Sequence, residues 1–135
     1  MIIVFGASIL SDQLLSIPKK FSLNLHTGLT QYYRGVDSHF WPIFDNRPEC
    51  IGVTIHSIDS SIDGGNILIQ KRFQLNPDDS LHQIFFKSVV KGFQAFEEGL
   101  RSFLKGDRHF EPQQNPGKLF CVKDFSEEYL LSVNK

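Results

Sequence analysis

Two polar side chains suited to proton transfer stand two residues apart at the end of a predicted strand. In the tripeptide Asn24-Leu25-His26, strand geometry places Asn24 and His26 on the same face. In open α/β sheets, ligands bind beyond strand ends of this kind. His26 can transfer a proton near neutral pH, and Asn24 can donate a hydrogen bond to a developing oxyanion. The tripeptide alone favours a simpler interpretation, a strand-end histidine hydrogen-bonded to loop backbone.

The second candidate segment is Asp63-Gly64-Gly65. Its two glycines permit a backbone with positive φ and the close approach of a ligand, and Asp63 could orient His26. Asp-Gly is also a common turn signal, so the segment by itself does not decide between a turn and a site.

A metal site is not predicted. His26, His39 and His56 accompany several carboxylates, but none forms a His-x-x-x-His pair. Cys50 and Cys121 fit neither a metal-finger spacing nor a disulfide framework.

Length and charge exclude several classes of protein. The 135 residues allow one domain, and a composition 41% hydrophobic and 21% charged excludes wholesale disorder. Fourteen Lys and Arg against 15 Asp and Glu give a net charge of −1, so no basic field is available for nucleic acid. The opening apolar run at 2–5 is too short for a membrane span and lacks the features of a signal peptide, so we expect no membrane association and a cytoplasmic protein.

Hydrophobic patterns predict a sheet. The run at 2–6 is continuously apolar, as in a strand of a parallel sheet, whereas 21–26 alternates apolar and polar residues. The connection between the third and fourth strands is too short for a crossover helix, so these two are predicted to pair antiparallel. The four main strands are predicted at 2–6, 21–26, 51–58 and 66–74, with a fifth short one at 118–122.

Between these strands the pattern is mostly irregular. Residues 27–35 read as a loop, and 11–20 and 36–45 allow only short helices because Pro18 and Pro42 interrupt them. The tail contains Leu130 and Leu131.

The clearest element is a helix over 81–104. Ser80 and Gln83 have capping-box spacing, and Gly106 follows the last turn. An apolar, largely aromatic stripe at helical spacing is predicted to be core and to cover the sheet. Its members are Leu81, Ile84, Phe85, Val89, Phe93, Phe96, Leu100 and Phe103.

Taken together, four stretches in residues 2–74 resemble the folate-dependent formyltransferases, whose donor is N10-formyltetrahydrofolate. The combination of Asn-x-His with a later His and Asp-Gly-Gly is specific, and it outweighs the simpler interpretation of the tripeptide alone. The matching stretches are Ile3-Val4-Phe5-Gly6-Ala7-Ser8-Ile9-Leu10, Asn24-Leu25-His26-Thr27-Gly28-Leu29, Tyr32-Tyr33-Arg34-Gly35, and Gly52-Val53-Thr54-Ile55-His56 running on to Asp63-Gly64-Gly65-Asn66-Ile67-Leu68-Ile69-Gln70.

The resemblance implies that Asn24, His26 and Asp63 form the catalytic trio. Asn24 and protonated His26 would stabilise the tetrahedral oxyanion that forms when an amine attacks the formyl carbon. Asp63 would hold and charge His26 and help to move a proton, with no covalent intermediate and no metal.

The resemblance also implies a folate pocket and an acceptor. The pterin would lie against the backbone around Ser8, Ile9 and Leu10 and against the loop that begins at Ile58 and Asp59. The acceptor is expected to be a small-molecule amine, and the closest resemblance is to enzymes that formylate nucleotide-linked amino sugars. Three features carry this expectation: Thr27-Gly28, Tyr32-Tyr33-Arg34-Gly35 and Phe40-Trp41. Methionyl-tRNA formyltransferases add a basic domain and rank last.

The resemblance further implies an incomplete domain. Family members place roughly eighty or more residues before the strand that opens this chain, a length in keeping with a three-strand α/β half. We therefore expect an α/β, Rossmann-like three-layer formyltransferase domain that is incomplete, with a mainly parallel sheet, one antiparallel pair and a long C-terminal helix. Residues 1–106 would be the C-terminal part of the catalytic domain and 107–135 an irregular extension with a short strand.

An opening strand without its neighbours would leave an exposed apolar sheet edge. We expect a homodimer or a partner chain to cover it; otherwise the chain is a fragment. Two alternative functions stay open. One is a hydrolase that uses water as the acceptor, and the other is a folate-binding remnant without turnover.

Overall fold

A computed structural model describes residues 1–17, 21–124 and 126–127. Within these ranges the chain forms six strands, three α-helices and two short 3₁₀ helices. The strands are β1 (Ile2–Phe5), β2 (Ser22–His26), β3 (Tyr33–Gly35), β4 (Gly52–Ser57), β5 (Ile67–Arg72) and β6 (Lys118–Phe120). The α-helices are α1 (Asp12–Leu15), α2 (Trp41–Phe44) and α3 (Leu81–Leu104), and the 3₁₀ helices are Pro48–Cys50 and Val122–Asp124.

The main sheet has the strand order β1-β2-β4-β5. β1 and β2 are parallel, whereas β2–β4 and β4–β5 are antiparallel. The α/β class and the predicted antiparallel pair of the third and fourth main strands are confirmed. The parallel share of this sheet is smaller than predicted, because β4 also runs antiparallel to β2.

A second, two-stranded sheet pairs β3 with β6 in parallel. The sequence predicted residues 27–35 as a loop and so missed β3, because its partner strand lies more than 80 residues away in the chain. An aromatic cluster beneath this sheet fixes the C-terminal strand: the rings of Trp41 and Phe120 stack with centroids 4.0 Å apart, and Tyr33 lies against Phe120.

Helix α3 begins and ends as predicted, and both hydrogen bonds of the Ser80–Gln83 capping box are present. The predicted apolar stripe is confirmed only in part, since Ile84 and Phe103 are buried and Phe96 packs against the core. Most of the buried positions of α3 carry small residues, and a Cβ on Gly92 would lie 2.7 Å from Leu25 Cδ2 of β2. The helix approaches the sheet too closely for large side chains, so Phe85 and Phe93 remain exposed at its flank.

α3 covers only one face of the sheet. Leu23 and Leu25 of β2 and Val53 and Ile55 of β4 are buried beneath it with Ala95. The alternating side chains of the same strands point to the opposite face, which is therefore available for polar residues.

The remaining elements are short. Within the predicted helix at 11–20 only α1 forms, and residues 18–20 lie outside the described part of the chain. Within 36–45, α2 begins at Trp41 with Pro42 in its first turn, where a missing N–H costs nothing. Leu130 and Leu131 also lie outside the described residues. Among the described helices, none is both long and apolar enough to span a bilayer.

Candidate active site

The pairing of β2 with β4 assembles three polar side chains on the face opposite α3. In this antiparallel register Asn24 stands directly opposite His56, and His26 opposite Thr54. Because Asn24 and His26 are two residues apart, both share the face of His56. The His26 and His56 ring centroids are 6.3 Å apart.

Asp63 completes the group from the loop between β4 and β5. Its Oδ1 accepts a hydrogen bond from Asn24 Nδ2 at 3.1 Å, and its Oδ2 lies 3.4 Å from His26 Nδ1. The structure therefore brings both Asn24 and His26 into contact with Asp63, the third predicted catalytic residue. It also adds His56, whose Nε2 lies 3.4 Å from Asp63 Oδ1. The side chains of His26, His56 and Asp63 are only 7%, 3% and 12% exposed.

The backbone that carries Asp63 differs from the sequence expectation. Positive φ belongs to Asp63 itself, at +51°, and not to Gly64 or Gly65. The close approach at Gly65 is to the chain's own backbone, since a Cβ there would overlap the Ser57 carbonyl oxygen. The glycines thus allow the turn to pack against β4, and the N–H of Gly35 holds Asp63 Oδ2 at 2.8 Å.

Asp63 is held as a carboxylate. Burial would raise its pKa, but a hydrogen bond from His56 and the charge of His26, both in their protonated forms, and the Gly35 N–H together lower the pKa of Asp63 to about 2. A carboxylate on one side of a histidine can orient it and stabilise the imidazolium.

His26 has acceptors at both ring nitrogens. Its Nε2 lies 3.2 Å from the Tyr33 carbonyl oxygen, and its Nδ1 faces the Asp63 carboxylate. Burial lowers the pKa of His26; Asp63 opposes this effect, whereas His56 adds to it. Burial thus shifts His26 towards its neutral form, while the role of protonated His26 at the oxyanion stays a prediction. In either neutral tautomer one ring nitrogen has its lone pair facing an oxygen. If His26 takes up a proton during a reaction, the imidazolium can donate to both oxygens.

His56 was part of the sequence motif but had no assigned role. Its Nδ1 lies 2.8 Å from the Ser57 carbonyl oxygen, which can only accept, so Nδ1 carries the proton. Its Nε2 then accepts from Asn24 Nδ2 at 3.2 Å. His56 therefore orients the Asn24 amide, and its place opposite Asn24 in the strand pair could have indicated this.

The predicted folate-binding residues occupy two separate segments. Ser8 and Ile9 are exposed and Leu10 is half-buried, just beyond the end of β1. The N–H of Ile58 donates to the carbonyl of Ser22 at the start of β2, and the Asp59 carboxylate accepts from Ser61 N–H.

These two segments lie towards opposite ends of β2, since the last residue of β1, Phe5, pairs with Leu25. Among the described residues, no hydrogen bond joins the segment at Ser8 to the segment at Ile58. The loop that begins at Ile58 approaches His26 only further along, at Asp63. Their assignment to a folate pocket stays a prediction.

Two side chains, Gln113 and Arg34, contact the Asp63 loop and were not predicted to do so from the sequence. Gln113 Nε2 donates to the carbonyl oxygens of Asp63 and Gly65 at 3.0 and 2.6 Å. Arg34 Nε donates to Gly117 O at 2.8 Å, and its Nη1 to Ile62 O at 3.2 Å. No local pattern signals contacts between residues 28 to 83 positions apart.

The described residues include no group of three or more His, Cys, Asp or Glu side chains arranged to hold a metal ion. Two cavities, of about 320 and 500 Å³, border α3, and neither contains Asn24, His26 or Asp63.

Comparison with known proteins identifies the family of this chain. The formyl transferase family model matches residues 1–97, well over half of the chain. The chain belongs to the formyl transferase family. The predicted catalytic residues Asn24, His26 and Asp63 all fall inside the matched region.

Curated members of the family are similar to this chain, and their names state two different formyl acceptors. GDP-perosamine N-formyltransferase of Brucella melitensis is 31% identical over 103 residues, which are 76% of this chain and 39% of that protein. Methionyl-tRNA formyltransferase of Staphylococcus aureus is 30% identical over 131 residues, 97% of this chain and 42% of that protein. The chain thus spans about two-fifths of the length of these relatives.

Among solved structures, the formyltransferase PseJ from Anoxybacillus kamchatkensis has a TM-score of 0.83 and 28% identity, covering 96% of this chain and 67% of that one. It was solved in complex with UDP-4,6-dideoxy-4-formamido-L-AltNAc and tetrahydrofolate. The N-formyltransferase from Helicobacter canadensis, solved with folinic acid and dTDP-3-aminofucose, has a TM-score of 0.70 and 28% identity, covering 78% of this chain and 40% of that one.

Proposed function

We propose that this chain carries the catalytic part of a formyltransferase that moves a formyl group from N10-formyltetrahydrofolate to the amine of a nucleotide-linked amino sugar. The observation that carries this proposal is the Asp63 carboxylate, buried and shared by Asn24, His26 and His56. Three polar side chains converge there from two neighbouring strands within a member of the formyl transferase family.

In the proposed reaction, the acceptor amine attacks the formyl carbon and a new C–N bond forms. Asn24 now directs its amide hydrogens to Asp63 and His56. It would exchange the His56 contact for the developing oxyanion, where a preorganised donor stabilises charge.

His26 would take the proton that the amine loses. Its neutral form is competent as a base, and Asp63 together with the Tyr33 carbonyl stabilises the cation that results. As the oxyanion collapses, the bond from the formyl carbon to N10 breaks, and the proton passes to N10 to give tetrahydrofolate. Holding amine and donor together supplies a large part of the rate.

The choice of an amino sugar rests on likeness to the Anoxybacillus and Brucella proteins and on the net charge of −1. A tRNA acceptor calls for many phosphate contacts from basic side chains. The Staphylococcus relative has nearly the same identity, so tRNA is the second acceptor to test.

We also propose that another polypeptide, a second copy or a partner chain, covers the free side of β1. Ile3 and Phe5 of β1 are exposed, and Phe93 of α3 extends the same apolar area. The division into a catalytic part at 1–106 and an extension at 107–135 belongs to the same proposal.

The first test is calorimetric titration of the purified chain with 5-formyltetrahydrofolate, a stable mimic of the donor, beside an Asp63→Ala control. Saturable one-site binding that the control weakens is expected, because the loop of Asp63 forms one predicted wall of the folate pocket. No binding to a folded, monodisperse sample would contradict the claim that this chain forms the folate site.

Turnover then separates the candidate reactions. With N10-formyltetrahydrofolate, nucleotide-linked amino sugars should be formylated and initiator methionyl-tRNA should not. Formate released without any amine would instead identify a hydrolase. Binding without turnover in every arm would leave a folate-binding chain.

A further inference from the structure

The segment 111–120 returns from the end of α3 to the loops that carry the candidate site. Glu111 and Ile67 exchange N–H···O hydrogen bonds at 2.8 Å. Gly117 N–H donates to Thr30 O, and Lys118 N–H donates to Tyr32 O. These backbone bonds fix the course of segment 111–120 across the turn at Asp63.

Gln113 is the residue of this segment that reaches the turn. Its Nε2 lies 3.0 Å from Asp63 O and 2.6 Å from Gly65 O. Both partners can only accept, so the hydrogen-bond network requires the amide nitrogen, and not the amide oxygen, to face them. One side chain therefore holds the backbone on both sides of Gly64.

The other end of the Gln113 amide is unsatisfied. Gln113 Oε1 is buried and has no hydrogen-bond partner among the described residues. A buried acceptor without a partner is unfavourable, because it loses its bonds to water without a replacement. An apolar side chain of the same length would avoid this penalty but would leave both carbonyl oxygens without this donor, so the two donated hydrogen bonds account for a glutamine here.

The backbone of the turn at Asp63 has an unfavourable conformation. Asp63 adopts a φ of +51°, in the left-handed region, which is unfavourable for a residue with a Cβ. Release of the turn would let this backbone relax and swing the carboxylate away from His26. Arg34 Nη1 also donates to the preceding carbonyl, that of Ile62.

We propose that Gln113 is a positioning residue that fixes the Asp63 carboxylate against His26, so that segment 111–120 completes the active site. This inference rests on the proposed function for its catalytic consequence, but its structural part, the contact of Asp63 with His26, can be measured without turnover.

The test compares Gln113→Met with Gln114→Met in the full chain. Both changes remove one amide at neighbouring positions, but the side chain of Gln114 is exposed. The His26 ring is followed by NMR through a pH titration after assignment of the five histidines. Since the charge of Asp63 opposes the lowering of the His26 pKa, Gln113→Met should lower that pKa further, and Gln114→Met should leave it unchanged.

With donor and acceptor present, Gln113→Met should lower kcat about 10- to 100-fold, because misplacement of a reacting group by about 1 Å can cost that much. A variant that is folded and less stable but keeps the wild-type His26 pKa and kcat would overturn the proposal, since Gln113 would then be only structural. If Gln113→Met does not fold, Gln113→Asn, which keeps the amide on a shorter stem, decides by the same two measurements.

The two proposals fail in different ways. A wild-type chain without turnover in which Gln113→Met still lowers the His26 pKa would refute the proposed function and keep the positioning role. A wild-type chain with turnover in which Gln113→Met leaves the His26 pKa unchanged would refute the positioning role and keep the proposed function.

Discussion

The Asp63 site and the free side of β1 are two neighbouring regions of one sheet with opposite character. Around Asp63, polar side chains are nearly fully buried, and their partners come from β2, β4 and the adjoining loops. On the free side of β1, Phe5 and Phe93 touch each other edge to face, yet remain 41% and 53% exposed.

The difference is between polar groups that find their partners within this chain and apolar side chains that stay partly exposed. A buried charge needs its partners in place at once, because an unpaired one is very costly. A half-exposed apolar side chain costs far less free energy than an unpaired buried charge, so the fold tolerates it without a partner surface. The polar contacts of the candidate site are thus internal to the chain, whereas the β1 side is the proposed interface.

Asp63→Asn should produce the largest effect and tests whether the site is internally complete. The substitution keeps the shape but removes the charge that orients His26, so kcat should fall about 10²- to 10⁴-fold. Formyl transfer is followed through release of tetrahydrofolate, with exposed Asp78→Asn as the matched control. Equal activity of the two variants would show that the buried carboxylate is not part of the chemistry.

Gly65→Ala should produce the largest loss of stability among single methyl additions in the Asp63 turn. Its Cβ would overlap the backbone oxygen of Ser57, which cannot move away without distorting β4. We expect a loss of about 1–3 kcal/mol in the free energy of unfolding, measured with urea. Gly64→Ala, which meets only the flexible Ser61 side chain, should cost less than about 1 kcal/mol. The reverse order would contradict the packing described for the turn.

The pH dependence of stability tests the burial of the histidines. Burial lowers the pKa of His26 and of His39, so below about pH 6.5 the unfolded chain binds protons that the folded chain does not. The free energy of unfolding should therefore be highest above that pH and fall as the pH drops below it. The contribution of Asp63, whose pKa is about 2, should disappear only at lower pH, between about 4 and 2.

Urea unfolding from pH 8 to pH 5 checks this dependence. His39→Gln should flatten the loss, and exposed His109→Gln should keep it. Stability that rises on acidification would mean that the histidines are not buried as described.

Phe93→Ser should have the smallest effect on stability and sharpens the description of the β1 side. Because this ring is half exposed, its removal should change the free energy of unfolding by less than about 1 kcal/mol. Self-association, measured by light scattering, should decrease, whereas Leu104→Ser at the far end of α3 should leave it unchanged. Unchanged association in both variants would remove Phe93 from the interface.

Much of the secondary structure could be predicted from local pattern. The alternation at 21–26 predicted β2, and the capping box with the apolar period predicted α3 to the residue. The part of α3 that failed is instructive: the large residues gave the period, but Gly92 and Gly99 occupy the contact. Hydrophobic periodicity reports which residues share a face, not how closely a sheet will approach it.

The candidate site divides in the same way. Asn24, His26 and Asp63 could be named from their motif, and the catalytic role of each stays a prediction. Their contact depends on a strand register and on a turn with positive φ at Asp63, where the sequence favoured the glycines. The lowering of the His26 pKa also depends on burial, which no motif encodes.

The sequence by itself determined the residue types available for chemistry, the two longest local patterns and membership of the formyl transferase family. Only the tertiary structure decided that β3 pairs with β6, that Gln113 holds the Asp63 turn from 50 residues away, and that α3 leaves its aromatic flank exposed. The physical reason is that backbone propensity and side-chain period act over a few residues. Hydrogen bonds between distant segments, and the distance at which two layers pack, are settled only when the whole chain has closed around its core.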